Sequence, residues 1–263
     1  MGGNISMTRY TRRLLFALFA AAATVRAAGL PDTGMSQCDA GLILFDCTDS
    51  SADFADSPRQ DGRFGRDAKV VYGALSKAGA GSAGFDYTKV ANNGSDLAPG
   101  IGLGAGPDDW ACTRDNITGL TWEVKVNDAT GLRHSQWTYT WFDSDSTSNG
   151  GNSGTAAGGT CLTASRCDTG KFVADVNAAT LCGRSDWRLP TARELLTIVH
   201  FGATNRLIDP VYFPNSLMVN VWTGSTYAAN ASQAWVANFG SGQLGAGARA
   251  SPFGVRLVRG ARF

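Results

Sequence analysis

The stretch "SDWRLPTARELLTIV", residues 185–199, carries the strongest local pattern in the chain. Pro190 ends an extended segment, and Thr191 stands three residues before Glu194, which is the S/T-x-x-E spacing of a helix capping box. The pattern predicts a helix that begins after Thr191 and ends near Gly202. We interpret the stretch as a structural brace of the core rather than as a catalytic motif.

Apolar residues on both sides of this helix start are spaced to face one core. On the extended side the apolar positions alternate, and behind the cap they recur at helical spacing. The residues predicted to face inward are Trp187, Leu189, Leu195, Leu196 and Val199.

Working outward, the sequence predicts a second helix and several short strands. The helix is "TGKFVADVNAATLCG" (169–183), with Gly183 as its C-cap and an inner face formed by Phe172, Val173, Val176 and Ala179. The predicted strands are "NITGLTWEVKV" (116–126), "QWTYTWFD" (136–143), "VNVWTGSTY" (219–227), "QAWVANFGSGQL" (233–244) and "GVRLVRG" (254–260), with a hairpin turn at Gly-Ser-Gly. Two helices with short antiparallel strands and long loops predict an α+β fold.

The aromatic residues divide the chain into a segment and a domain. All seven Trp fall between positions 110 and 235, so the packed domain is predicted to span 108–263. Residues 28–107 are rich in Gly and Ala and are expected to form a poorly structured segment with one small Cys38–Cys47 loop.

The first 27 residues have the pattern of a signal peptide, whether translation begins at Met1 or at Met7. Arginines precede the apolar run 14–23, and Val25-Arg26-Ala27 offers a small-residue cleavage site. The run is too short for a transmembrane helix. Cleavage after Ala27 removes four of the 23 basic residues and none of the 22 acidic ones, which leaves a net charge of −3. We therefore expect an exported protein (periplasmic, at the outer surface or secreted) that does not bind nucleic acid.

Six cysteines follow the predicted cleavage site, an even number that predicts disulfides in an exported chain. None forms a CxxC pair, so a zinc ribbon or a thioredoxin-type redox site is not expected. Six cysteines allow about 15 pairings. Local spacing favours Cys38–Cys47 and Cys161–Cys167, which leaves Cys112–Cys182.

Several of these segments, in this order, resemble a known family. The segments are "DNITGLTWEVK", "YTWFDSDSTSNGGNSG", "CDTGKFVADVNAATLCGRSDWRLPTARELLTIV", "IDPVYFPN", "VWTGSTYAANASQAWVANFGSG" and "VRLVRG". Together they resemble the Lcl C-terminal domain family, long classed as a domain of unknown function, over about Trp110 to Arg259. That family is similar in turn to the C-type lectin-like fold, in the branch that contains formylglycine-generating enzymes.

The resemblance carries expectations about chemistry and partners. Formylglycine-generating enzymes use cysteine chemistry near the closing strand, where this chain has Leu257 and no thiol. His134 and His200 have no partner motif, and we expect surface or capping roles for them. No enzyme activity and no cofactor are therefore expected. Family members are implicated in adhesion to host or matrix glycans. Oligomers are known in the family, although no coiled-coil repeat in this chain enforces a homo-oligomer.

Candidate binding residues lie in three places. A weak Ca²⁺ loop is offered by Asp143, Asp145 and Asn149, although the EF-hand pattern fails and a solvated loop is favoured. The late loops of the resembled fold correspond to about 223–234 and 240–253, and Trp222 and Trp235 beside them are expected to be core. The candidate ligand-binding residues on these loops are Tyr227, Asn230, Gln233 and Arg249. A basic patch suited to sulfated polysaccharide is offered by Arg188, Arg249, Arg256, Arg259 and Arg262, of which Arg188 and Arg256 are equally suited to bracing the fold.

The sequence therefore predicts an exported, disulfide-stabilised recognition or adhesion module that binds glycan or a host or matrix partner. The alternative is a structural or assembly component of a cell-surface appendage. An enzyme related to the formylglycine-generating fold is a third and weaker reading.

Overall fold

The computed structural model describes residues 32–40, 43–47, 49 and 60–262. The predicted signal peptide lies outside the described residues. The helices are α1 Asp61–Phe64, α2 Arg66–Val71, α3 Thr169–Ala178 and α4 Ala192–Leu196, with 3-10 turns at Ala164–Arg166 and Leu181–Gly183. The strands are β1 Gln37–Asp39, β2 Leu44–Asp46, β3 Tyr87–Ala91, β4 Asp96–Leu97, β5 Trp110–Asp115, β6 Thr121–Glu123, β7 Asn220–Thr226, β8 Gln233–Asn238, β9 Leu244–Ala248, β10 Gly254–Val255 and β11 Val258–Arg259. This is a mixed architecture with few helices and mainly antiparallel sheets, as the sequence predicts.

The first large sheet has five antiparallel strands in the order β11-β6-β5-β3-β4. Strand β3 pairs with β5 from Tyr87↔Asp115 to Ala91↔Trp110, and Phe85, Tyr87 and Val90 are buried. Strands β3 and β4 lie before the predicted domain start at residue 108, yet they belong to the same sheet as the later strands. The amino-acid composition does not reveal β3 and β4, because these strands carry few aromatic residues.

The second large sheet has four strands in the order β10-β7-β8-β9. Strands β7, β8 and β9 are antiparallel neighbours, and the predicted Gly-Ser-Gly turn at 240–242 joins β8 to β9. Strand β10 lies parallel to β7, whereas β11 pairs with β6 of the first sheet. The closing segment 254–259 therefore links the two sheets.

The two longer predicted helices form, but both are shorter than expected. Asp168, which was not predicted as a cap, is the N-cap of α3, and its side chain accepts from the Lys171 N–H. Helix α3 ends at Ala178 with Ala179 as C-cap, so the prediction of Gly183 as C-cap is wrong, and Ala179 is exposed. The chain leaves the helix through a turn that contains Cys182, whose disulfide draws it toward the first sheet.

Helix α4 confirms the capping box. The Thr191 hydroxyl accepts from the Glu194 N–H at 3.1 Å, and a Glu194 carboxylate oxygen accepts from the Thr191 N–H at 2.8 Å. The regular helix ends at Leu196, several residues before Gly202. Trp187, Leu195 and Val199 are buried as predicted, and Leu189 packs partly buried against the core.

The aromatic segment 136–143 does not form the regular strand that its pattern predicts. Its residues instead make isolated bridges to different partners: Thr138 to Thr160, Tyr139 to Phe253, Thr140 to Asp168 and Phe142 to Gly154. The segment therefore pairs with several separate parts of the chain instead of with one neighbouring strand.

Three disulfides hold the described residues together: Cys38–Cys47, Cys112–Cys182 and Cys161–Cys167. This is the pairing that local spacing favours. Cys38–Cys47 joins β1 to the residue that follows β2, so this part of the N-terminal segment has structure. Cys112–Cys182 joins β5 to the turn after α3 across 70 residues.

The longest helix among the described residues, α3, has ten residues. In that part of the chain no helix combines the length and the apolar character needed to cross a bilayer.

Candidate functional site

A cleft of about 440 Å³ lies between the beginning of α3, the loop that follows the aromatic segment, and the extended arm before α4. Its lining combines aromatic, hydroxyl and charged residues, which is the mixture typical of small-molecule and sugar sites. The lining includes Trp141, Phe142, Asp143, Ser144, Ser148, Thr169, Lys171, Arg188, Leu189 and Arg262.

The wall formed by the aromatic segment is fixed by hydrogen bonds on two sides. The Thr169 hydroxyl accepts from the Phe142 N–H at 2.8 Å and donates to the Phe142 carbonyl at 2.9 Å. The indole N–H of Trp141, which is fully buried, donates to the Thr223 carbonyl at 2.9 Å. The first residue of α3 and strand β7 therefore set the position of this wall before any ligand arrives.

Three positively charged side chains line the cleft, and they differ in how firmly other residues hold them. Lys171 Nζ lies 3.2 Å from the buried Asp168 carboxylate and donates to the Ser165 carbonyl. Arg188 is held by Glu194, with nitrogen–oxygen distances of 2.7 and 2.8 Å. Arg262 is exposed. A polar or anionic ligand in the cleft thus meets two fixed cations and one exposed cation.

The predicted Ca²⁺ loop is the lip of this cleft, and its oxygens already have partners. Asp143 accepts from the Asp145 N–H and from the Ser148 hydroxyl, and Asp145 accepts from the N–H and hydroxyl of Thr147. The Thr147 hydrogen bonds lower the pKa of the exposed Asp145 carboxyl. Asn149 accepts from the Gly151 N–H. The described residues contain no group of three His, Cys, Asp or Glu placed to hold a metal ion.

Arg249, which was predicted as a ligand-binding residue, does not lie on the surface. Only 2 % of the residue is exposed, and its guanidinium lies over the Trp141 ring. It donates to the carbonyls of Asn149, Asn152 and Gln233. Burial lowers the pKa of this guanidinium. Arg249 therefore fastens the loop that forms the lip of the cleft to the second sheet.

The other three predicted ligand residues gather at the β7–β8 turn. The Tyr227 N–H donates to the Gln233 carbonyl, and the Gln233 N–H donates to the Asn230 carbonyl. The Asn230 side chain accepts from the N–H and hydroxyl of Ser232. Asn230 is exposed, whereas Tyr227 and Gln233 are half-buried. They form a second surface, distinct from the residues that line the cleft.

The two tryptophans near this turn differ from one another. Trp222 is fully buried and donates to the Tyr139 carbonyl, as expected of a core residue. Trp235 is only half-buried, and its ring meets the Tyr227 ring edge-on at a centroid distance of 5.1 Å. The expectation that Trp235 is simply core is therefore wrong.

The predicted basic patch does not form. Arg256 is buried, donates to the Glu123 carbonyl and the Ser216 hydroxyl, and has its pKa lowered to about 10 by burial. Arg188 pairs with Glu194, and Arg259 pairs with Asp186 at 2.7 Å. Arg188 and Arg256 brace the fold, and Arg249 is buried as well. Arg262 is the member of the predicted set that remains exposed beside the cleft.

The histidines also differ from the expectation of surface roles. His134 is 9 % exposed and packs edge-on against Trp137. His200 is half-buried beside Phe85, and burial lowers its pKa. Nothing in the described geometry pairs either imidazole with a nucleophile.

Sequence reasoning did not identify Phe142, Ser144, Lys171 or Arg262 as residues of one site. A local signal for part of it was present, because Asp168, three residues before Lys171, is of the residue type that caps helix N-termini. The approach of this helix start to Phe142 is a tertiary contact that no local pattern encodes.

The fold and site thus define a disulfide-linked, mixed α and β domain with a preformed cleft. Residues 111–259, more than half of the 263-residue chain, match the Lcl C-terminal domain family, and the chain belongs to this family. No curated protein and no solved structure matches the chain.

Proposed function

We propose that the protein is an exported recognition or adhesion module of C-type lectin-like fold that binds glycan, including sulfated polysaccharide, or another host or matrix component without catalysing a reaction. The observation that carries this proposal is the cleft, in which Lys171 and Arg262 stand beside aromatic and hydroxyl groups. Sugars bind through apolar contact with rings and hydrogen bonds from such groups. Guanidinium and ammonium groups add affinity for sulfate or carboxylate oxygens.

Export and persistence outside the reducing cytosol are supported by the three disulfides. The cleft does not require the buried Arg249 as a contact. Its rigidity instead depends on Arg249, because that residue fastens the lip. A preformed site of this kind loses little entropy when it binds.

The test is retention of the oxidised full chain on an array of neutral and sulfated glycans. A Lys171→Ala/Arg262→Ala variant removes two of the three positive charges that line the cleft. A Lys69→Ala/Arg206→Ala variant makes the same change in net charge at residues that do not line it. Retention that is lost in the first variant and kept in the second supports the proposal and assigns the site.

A third variant, Tyr227→Ala, separates the cleft from the β7–β8 turn. Loss of retention in this variant alone would move the binding site to the turn and keep the glycan hypothesis. No retention of the folded wild-type protein on any glycan would contradict the proposal.

The second candidate is a structural or assembly component of a cell-surface appendage. Large apolar side chains are exposed between α4 and β7, which is a feature of protein-contact surfaces. These residues are Phe201, Val211, Met218 and Val219. Co-purification with a surface protein, together with no glycan retention, would favour this candidate.

A further inference from the structure

Residues 32–36 pack against the segment that follows α4. The Phe201 N–H donates to the Thr33 carbonyl at 2.8 Å, and the Gly34 N–H donates to the Asp32 carboxylate at 2.7 Å. Gly34 has a φ of +72° and lies so close to His200 that a Cβ would overlap the imidazole. Residues 32–36 are therefore held in place by hydrogen bonds and close packing.

The same contact buries two carboxyl groups against each other. Asp32 and Asp67 are 4 % and 7 % exposed, and their carboxyl groups lie close enough for the charge of Asp32 to act on Asp67. Asp67 also accepts from the Gly84 N–H, and a Cβ on Gly84 would overlap the Asp32 carboxylate. The carboxyl groups of Asp32 and Asp67 therefore both lie beside Gly84. The remaining Oδ2 atom of each has no donor among the described residues.

A hydrogen bond between two carboxyl groups requires one proton, because a carboxylate can only accept. Two ionised carboxylates in contact, away from water, would repel each other strongly. Burial and the charge of Asp32 raise the pKa of Asp67 from 3.8 to about 7.

The cations beside the pair form no ion pair with it, although the charges of Asp32 and Asp67 act on Lys77. Arg66 donates to the Gly84 carbonyl, and Lys77 donates to the carbonyls of Gly81 and Ala83. The acidic groups nearby add negative charge: Asp61 on α1, which accepts from the Thr33 hydroxyl, and Asp86 and Asp209, which accept from backbone N–H groups. Among titrating neighbours, the half-buried imidazole of His200 has its pKa lowered by burial and so favours the neutral form.

We propose that Asp32 and Asp67 form a proton-dependent latch that holds residues 32–36 on the domain, closed while the two carboxyl groups share a proton and opened when both are ionised. Opening uncovers the surface around Phe201 and Gly202, which residues 33 and 34 cover. The latch therefore makes exposure of this surface depend on pH. It does not rest on the proposed glycan function.

The direction of the effect follows from proton linkage. The closed state holds a proton that the open state releases at the ordinary aspartate pKa of 3.8. The latch is therefore strongest below that pH, weakens as pH rises toward about 7, and does not weaken further above it. Linkage to one proton limits the change to about tenfold in the opening equilibrium per pH unit.

The test is hydrogen–deuterium exchange of the oxidised full chain at pH 5, 6, 7 and 8, corrected for the intrinsic pH dependence of exchange. Peptides that contain the Gly34 and Phe201 amides should lose protection by up to about tenfold per pH unit between pH 5 and 7, and then level off. Asp67→Asn keeps a hydrogen-bond donor without the charge, so it should remain protected at pH 8.

Asp32→Asn tests the pair from the other side and should give the same flat profile. Asp108→Asn, at an exposed carboxylate outside the contact, should keep the wild-type profile. Protection of the wild-type protein that does not change between pH 5 and 8 would overturn the proposal. A wild-type profile in both Asp67→Asn and Asp32→Asn would overturn it as well.

Discussion

The guanidinium carbon of Arg249 lies 3.9 Å from the centroid of the Trp141 ring, and both residues are buried. A guanidinium on an aromatic face gains cation–π attraction, which is stronger when water is excluded. Its N–H groups also reach the carbonyls of Asn149 and Asn152, in the loop that closes the cleft. One buried cation therefore links the aromatic wall of the cleft to its lip.

We expect Arg249→Ala to lower the free energy of unfolding by about 3 kcal/mol, because it leaves buried carbonyls without donors and opens a space beside Trp141. Arg262→Ala, at the exposed cation of the same cleft, should change it by less than about 0.5 kcal/mol. Urea unfolding followed by tryptophan fluorescence measures both values. An Arg249→Ala protein that is as stable as wild type but no longer binds ligand would show that Arg249 contributes to binding directly and not through stability.

The ion pair between Arg188 and Glu194 should make the protein sensitive to acid. Burial alone would raise the pKa of Glu194, but hydrogen bonds from Arg188 and Thr191 outweigh it, so the pKa is lowered from 4.5. A lowered folded-state pKa contributes stability that is present above about pH 4.5 and is lost as the pH falls through the folded-state value. Glu194→Gln should lower the free energy of unfolding by about 2–4 kcal/mol at pH 7. The stability of this variant should also fall less steeply than that of wild type as the pH drops below about 4.5.

The measurement is urea unfolding between pH 3 and 7 for wild type and Glu194→Gln. Asp186→Asn is the matched control, because it removes an exposed carboxylate partner of Arg259. That control should cost less than about 1 kcal/mol. If wild type and Glu194→Gln lose the same free energy of unfolding between pH 7 and pH 3, Glu194 is not the titrating group.

Local signals explain which parts of the fold were predictable. The capping box of Thr191 and Glu194 and the turn at Gly240 to Gly242 are set by residues within a few positions of each other, and both form as predicted. Strand β3 was missed because its stability comes from pairing with β5, which lies some twenty residues further along the chain. Its own residues carry little of the aromatic pattern that marks the later strands.

The candidate site was less predictable than the fold, for a related reason. Arg249 stands alone in a glycine-rich stretch, which is the pattern of an exposed loop cation. The ring that receives it, Trp141, is distant in sequence, so the burial of Arg249 has no local signature. In the same way, Lys171 and Arg262 line one cleft only because α3 and the residues after β11 come together in the fold.

The disulfides should differ in their contribution according to the loops that they close. Cys112–Cys182 spans 70 residues and Cys161–Cys167 spans six. Loop-closure entropy predicts losses of about 4 kcal/mol for Cys112→Ala/Cys182→Ala and about 2 kcal/mol for Cys161→Ala/Cys167→Ala. Urea midpoints of the two variants test the ranking. A larger loss for the short loop would mean that its local packing, not chain entropy, dominates.

The last prediction concerns Glu123, a fully buried carboxylate whose Oε1 lies 2.8 Å from Lys125 Nζ. Its Oε2 accepts from the Leu257 N–H of the closing segment. Burial lowers the pKa of Lys125, and the charge of Glu123 counteracts that effect. Glu123→Gln would leave a buried ammonium without its counter-ion, and we expect a loss of about 3–5 kcal/mol at pH 7.

The pH dependence of this loss distinguishes an electrostatic cause from a packing defect. Without Glu123, the folded state binds Lys125's proton less readily than the unfolded state, whose lysine pKa is near 10.5. The stability of Glu123→Gln should therefore rise from pH 7 to pH 9 relative to wild type. Glu123→Gln/Lys125→Met removes the charge itself and should regain most of the loss at pH 7. A double variant no more stable than Glu123→Gln, with no rise at pH 9, would show that Glu123 acts through its hydrogen bond to Leu257 alone.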